Sequence, residues 1–335
     1  MCNNNISLET EIGGYLELDL PNYGDPFPNS LKFQSGRAAL RAALEYANIK
    51  IVFLPVYICD AVVQAVVDSG AVVKSYNLDD SLYPKNLPDS IPKKCALLYP
   101  NYFGLCDENI KCLLQHISKK KIIIDNSQAL FALPDNVMAS IYSIRKYIGV
   151  PDGGLLVSTE LDFKMPDNED SNSLARMKAL LLRMSYSART GYLSYVESEK
   201  TLNNTKPLKM SRLTNRLMAS IDMDAVKRRR RENFLELALQ LDKFNEHKWL
   251  IGSDSVPLCY PLLVDKKVDN LKQQLINKGI FIPTYWPEIK SRATYNSIEY
   301  RLLHCCLFVP CDQRYSTYQM NTLAVEIATA LEGEK

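Results

Sequence analysis

Four short segments carry residue types that could do chemistry. Lys146 precedes a sterically open turn, Gly149-Val150-Pro151-Asp152-Gly153-Gly154. An amine held in a partly desolvated turn gives up its proton more readily, as a Schiff-base lysine must. Asp125 closes the apolar run Ile122-Ile123-Ile124 and is followed by Asn126-Ser127-Gln128. An acid at the carboxyl end of a buried strand lies where α/β sheets bind ligands, and its burial calls for a cation or hydrogen-bond donors. Ser35-Gly36-Arg37-Ala38-Ala39-Leu40 is a small-residue turn opening a helix, where free N–H groups and the dipole suit an anion such as phosphate. Tyr99-Pro100-Asn101-Tyr102-Phe103-Gly104 is a strand end followed by aromatics and a glycine. Each has a plain alternative: many helices open this way, Asp125 suits a turn cap equally well, and a lysine before a glycine turn is commonly just solvated.

The elements that must position these residues follow from periodicity. Leu40, Ala43, Leu44 and Ala47 share one helical face, and Ile51-Val52-Phe53-Leu54 reads as a buried strand ended by Pro55. A helix over 60–69 stops at Gly70, and Ala71-Val72-Val73 and Cys95-Ala96-Leu97-Leu98-Tyr99 are further strands. Asp107 is placed to cap a helix carrying Ile110, Leu113, Leu114 and Ile117. Continuous apolar strands alternating with helices predict an α/β fold, its mostly parallel sheet covered on both faces. A polar break at 165–173 precedes a largely helical stretch to about 243. A second α/β unit follows: a strand at Leu262-Leu263-Val264, a helix ending at Gly279, a strand beginning Ile280-Phe281-Ile282, and a terminal helix. The expected division is a large domain over 1–222, with an N-terminal arm, and a smaller one over 223–335.

Composition narrows the class. The 335 residues carry 40 basic and 38 acidic side chains, formally +2, which argues against a nucleic-acid binder. The run Lys227-Arg228-Arg229-Arg230-Arg231 spreads around a helix and reads as a solvated face. No apolar stretch is long enough to span a membrane, and Met1-Cys2-Asn3-Asn4-Asn5 lacks the basic and apolar regions of a signal peptide. Nine cysteines without a CxxC pair, and three histidines, favour neither a disulfide framework nor a metal site. A cytoplasmic protein with reduced thiols is expected.

In order, the four segments resemble those of the fold-type I pyridoxal-phosphate enzymes and, more narrowly, the DegT/StrS-type sugar aminotransferases. That family has Ser-Gly-Thr-Ala-Ala-Leu where this chain has Ser35-Gly36-Arg37-Ala38-Ala39-Leu40. Its Glu-Asp-Ala-Ala-Gln-Ala is echoed at Ile124-Asp125-Asn126-Ser127-Gln128-Ala129, and its Lys-Asn-Leu-Gly at Lys146-Tyr147-Ile148-Gly149. The stretch Lys278–Pro287 resembles a family small-domain segment, and the resemblance covers roughly 30–330.

The resemblance implies roles. Lys146 would carry the cofactor as a Schiff base and shuttle a proton. Asp125 would pair with the pyridine nitrogen, favouring its protonated form, and Gln128 would bond the ring hydroxyl. Ser35, Gly36, Arg37 and Ser143 would hold the phosphate; Tyr57 or Cys59 would stand near the ring, and Asn101 joins the cofactor set. Tyr285, Trp286 and Arg314 are substrate candidates, although the Asp312–Tyr315 stretch suits a surface turn as well. Two departures matter. Arg37 replaces a hydroxyl residue. Also, the family's serine stands five residues before its lysine, whereas Ser140 stands five before Arg145. Register counted from Gly153-Gly154 therefore puts Arg145 in the lysine position, while the local match favours Lys146. Nothing in 176–205 matches the family. The implied protein is a homodimeric, pyridoxal 5'-phosphate-dependent aminotransferase acting between a glutamate-like donor and a nucleotide-linked keto-sugar. The alternatives are a non-transaminating enzyme of the same fold and a non-catalytic relative that binds a nucleotide sugar or a partner protein.

Overall fold

The computed structural model describes residues 13–158, 163–203 and 206–333; residues 1–12, with the N-terminal pentapeptide read above and much of the expected arm, lie outside them. The first half alternates β1 (Leu31–Phe33), α1 (Gly36–Tyr46), β2 (Ile51–Pro55), α2 (Asp60–Asp68), β3 (Val72–Leu78), β4 (Pro84–Lys85), β5 (Cys95–Pro100), α3 (Asp107–His116), β6 (Ile122–Asn126), β7 (Ala139–Ser143) and β8 (Gly154–Val157). These strands form one eight-stranded sheet of order β1-β8-β7-β6-β5-β2-β3-β4. Its five middle strands, β7 to β3, are parallel; the pairings of β1, β8 and β4 are antiparallel. Every residue of β5 and β6 is buried, as central strands covered on both faces require. The expected α/β class is what the chain adopts.

Ser35 starts α1 by accepting the Ala38 N–H on its Oγ at 3.2 Å. The small face of Ala38, Ala39, Leu40, Ala43 and Leu44 then lets this helix sit close on the sheet. Four helices follow: α4 (Ser173–Ser185), α5 (Ala188–Lys200), α6 (Arg212–Ala219) and α7 (Met223–Leu241). Two residues join α4 to α5 as a helical hairpin, with Ser187 capping α5 through the Thr190 N–H.

The remaining elements are β9 (Cys259–Leu263), α8 (Asp269–Asn277), α9 (Ile298–His304), β10 (Cys306–Pro310) and α10 (Thr317–Gly333). β9 and β10 pair antiparallel. Their alternation sends Tyr260, Leu262, Leu307 and Val309 against α7, α8 and α10. Cys259, Leu263, Cys306 and Phe308 point the other way, into the aromatic core of the large sheet.

Three local expectations are corrected. Ile280-Phe281-Ile282 pairs with no strand among the described residues. The outer edge of β9 is already closed, because Leu263 bonds Asn245 Oδ1 and the Glu246 N–H while Pro261 accepts from Asn245 Nδ2. Asp107 is the first residue of α3 rather than its cap; it accepts from Asn101 Nδ2 at 2.9 Å and Ser255 Oγ at 2.6 Å. In the basic run Arg230 is not solvated but 2% exposed.

Candidate active site

The carboxyl ends of the middle strands meet in register, with Asp125 flanked by Pro100 on β5 and Ile141 on β7. A cavity of about 200 Å³ opens at that edge, roofed by α4 and α5. Parallel strands bring their carboxyl ends to one side, so residues distant in sequence share this rim. Asp125 is 8% exposed and accepts the Ser127 N–H at 2.9 Å. Gln128, also lining the cavity, accepts the Phe103 N–H on Oε1 at 3.0 Å, while its Nε2 is buried without a partner. A buried amide nitrogen whose N–H donors are unused at a cavity wall is a costly arrangement unless a ligand accepts a hydrogen bond from it.

The other end of the cavity collects cations at the start of α1. Ser35 takes the Ala38 and Ala39 N–H groups, and the Gly36 and Arg37 N–H groups of the same first turn face no intrahelical carbonyl. Ser127 and Ser143 add hydroxyls to this wall. Arg37 and Arg145 both reach Glu199 near the end of α5, Arg145 through a hydrogen bond and Arg37 at 3.9 Å. Burial pulls the Arg145 guanidinium down to about 10, and the charges of Arg37 and Arg176 contribute; it remains a cation at neutral pH. Arg176, from α4, is tied to Asp170 at 2.7 Å with both side chains 2% exposed. None of these α4–α5 contributions carried a sequence signal, since Glu199 lies 54 residues from Arg145 and matches no motif.

Lys146 ends a single turn, Ile144–Lys146, that leaves β7. The next residue fastens this turn. The Tyr147 hydroxyl lies 2.6 Å from the Gln128 carbonyl and 3.0 Å from that of Val256, and its own carbonyl accepts from Gln313 Nε2 at 2.7 Å. Arg230 stacks on the Tyr147 ring at 4.3 Å and donates to the carbonyls of Pro257 and Leu258. The sequence reading put desolvation on Lys146; the structure puts it on Arg145, and Lys146 is exposed at the cavity mouth. Among the described residues Lys146 has no ion-pair partner, so its amine is unengaged. Burial pushes the Cys59 thiol up, tempered by the nearby Lys146 and Arg37 charges, with Asp125 acting the other way. Lys146, Cys59, Asp125 and Arg37 thus share one electrostatic neighbourhood.

The sequence candidates divide. Ser35, Gly36, Arg37, Asp125, Gln128, Ser143, Lys146 and Trp286 line the cavity, as does Cys59. Tyr57 sits behind it, fully buried, its ring edge-on to Trp286 at 4.6 Å. Asn101 is a joint, not a wall: it donates to Asp107 and accepts the Cys106 N–H. Tyr285 packs against Phe308 at 4.7 Å. Arg314 clamps Asp312 through Nε at 2.7 Å and Nη2 at 2.9 Å, away from the cavity, because the turn after Pro310 folds the two side chains together. Among the described residues no cluster of three or more His, Cys, Asp and Glu could hold a metal, and no helix is long and apolar enough to cross a membrane.

No family model matches the chain, and no curated protein matches it significantly. Solved structures do. The sugar aminotransferase CalS13 from Micromonospora echinospora is 14% identical with a TM-score of 0.60, over 92% of this chain and 88% of that one. A DegT DnrJ EryC1 StrS aminotransferase from Brucella abortus is 18% identical at 0.60, over 90% and 85%. PseC of Helicobacter pylori, an aminotransferase involved in the biosynthesis of pseudoaminic acid, is 16% identical at 0.58, over 91% and 87%. The chain therefore has the fold of fold-type I sugar aminotransferases of the DegT kind, the fold that its four sequence segments led one to expect.

Proposed function

We propose that this protein is a pyridoxal 5'-phosphate-dependent aminotransferase, moving an amino group from a glutamate-like amino acid to a nucleotide-linked keto-sugar. One observation carries the reading. An acid, an unpartnered amide donor, an unengaged amine and a helix N-terminus with two arginines converge on one cavity. These residues fit the cofactor: Ser35, Gly36, Arg37 and Ser143 would hold its phosphate, Gln128 Nε2 its ring hydroxyl, and Asp125 its ring nitrogen.

When bound, the cofactor supplies an electron sink for a carbanion at the substrate carbon. The chain's own residues supply the rest. Asp125 would favour the protonated form of the ring nitrogen. The Lys146 amine accepts the proton from the substrate carbon and returns it, a role its position at the mouth permits. The Tyr147–Arg230–Gln313 anchorage keeps that amine from drifting. Trp286 and Cys59 close the sides against water. A homodimer belongs to the proposal, since α4 and α5 expose Leu174 (75%), Met184 (77%) and Leu193 (75%) on one hairpin. So do the division near residue 222 and a cytoplasmic setting, the latter consistent with the free cysteines among the described residues.

The rival reading, a non-catalytic relative, rests on Arg145 being the more buried cation of the pair. An absorption titration with pyridoxal 5'-phosphate decides between them. The full chain is expected to develop a visible band that Lys146→Ala abolishes; no band in the wild type overturns the enzyme, and a band that survives in Lys146→Ala overturns the lysine assignment.

A further inference from the structure

The contact between Glu199 and Arg145 has no part in the chemistry above, and it joins the turn of Lys146 to the roof of the cavity. Glu199 comes from α5, Arg145 from the turn after β7, and Arg37 from the first turn of α1. The carboxylate hydrogen-bonds Arg145 and stands 3.9 Å from Arg37. It therefore holds, with one anionic group, the pair of guanidinium ions nearest the α1 N-terminus. Arg145 keeps an unused donor there: its Nε is buried and has no partner. Among the described residues, Arg37 is otherwise hydrogen-bonded by Asn203, an exposed neutral acceptor.

We infer that Arg37 and Arg145 form a two-arginine phosphate clamp, and that Glu199 is the counter-ion which an incoming phosphomonoester displaces, so that α5 is a lid latched by this carboxylate. This deepens the proposed function, because the phosphomonoester is that of the cofactor. The physical reason is charge. A phosphate bearing nearly two negative charges gains from both guanidinium groups and from the helix dipole, but a carboxylate left between the same arginines repels it. The two anions compete for one set of donors. A guanidinium fork suits either, and the phosphate, with more acceptor oxygens, also takes the donor on Arg145 Nε that Glu199 leaves unused.

The test compares pyridoxal 5'-phosphate with pyridoxal, which lacks the phosphate, by spectral titration of the full chain. Glu199→Gln is expected to tighten the phosphorylated ligand by about fivefold, and Arg145→Gln to weaken it by about tenfold or more; neither should move pyridoxal. Arg145→Lys, which keeps the charge and guards against a folding defect, should fall between. Weaker phosphate-ligand binding in Glu199→Gln would show that Glu199 orients the arginines rather than competing, and would overturn the latch. Equal loss of pyridoxal and its phosphate in Arg145→Gln would overturn the clamp. Calorimetry with inorganic phosphate needs no lysine chemistry, and the same ranking is expected there. If no visible band forms yet that ranking appears, the aminotransferase reading fails and the clamp stands; a band with no ranking is the reverse.

Discussion

Gly154 and Ser35 meet backbone to backbone. A Cβ on Gly154 would stand 2.1 Å from the Ser35 carbonyl carbon and 2.3 Å from the Gly36 nitrogen. The first residue of β8 is thus the floor on which the α1 N-terminus rests, and no side chain of any size fits between them. Gly154→Ala must push the two apart, at a cost of about 1–3 kcal/mol. The expected outcome is a lower melting temperature together with at least tenfold weaker binding of pyridoxal 5'-phosphate, read by calorimetry. Unchanged affinity would mean that the turn is not an anion site.

Arg230 is a buried cation with its donors distributed over Gln313, the carbonyls of Pro257 and Leu258, and the Tyr147 ring. Arg230→Met leaves those acceptors unpaired. Urea unfolding is expected to show a loss of about 2–4 kcal/mol. Arg230→Lys recovers less than half of it, because an ammonium cannot lie flat on Tyr147 while reaching three acceptors. Full recovery in the lysine variant would indicate that charge alone matters.

Asp125 is expected to be needed for turnover rather than for capture of the cofactor. Asp125→Ala should retain the visible absorption band while lowering transamination by about 100-fold or more. If turnover is unaffected, Asp125 is only the cap of the turn at Ser127, whose N–H it accepts at 2.9 Å.

Arg314 offers a prediction with a sign in pH. Burial pushes the Asp312 carboxyl up, but the hydrogen bonds and charge of Arg314 override it, so the folded value lies below the ordinary 3.8. The pair's contribution is therefore present above about pH 3.8 and is lost as pH falls through the lower, folded value. Because Arg314 is half exposed, Arg314→Ala should cost less than about 1 kcal/mol at pH 7, and progressively less as pH falls below the ordinary carboxylate range. The KM for the amino donor should stay within about twofold of wild type; a large rise would restore Arg314 to the substrate site.

How much was legible beforehand depended on the range of the contact. The helix stop at Gly70, the apolar runs and the motif residues Ser35-Gly36-Arg37, Asp125, Gln128 and Ser143 could be read in sequence. Each acts within a few positions of itself or at a strand end whose direction the α/β pattern predicts. The isolated expectations that failed all turned on a competitor from elsewhere in the chain. Asn245 and Glu246 close the edge that Ile280-Phe281-Ile282 would have joined.

By itself the sequence determined the alternation of strands and helices and the small-residue turn that starts α1, because backbone sterics and hydrophobic periodicity are local. It also determined which acid ends the central strand. Only the tertiary structure decided that Cys59 rather than Tyr57 faces the cavity, that Arg145 is half-buried while Lys146 is exposed, and that Glu199 lies between two arginines. Those outcomes depend on which charges share a desolvated space, and the chain settles that only when α5 closes over the sheet edge.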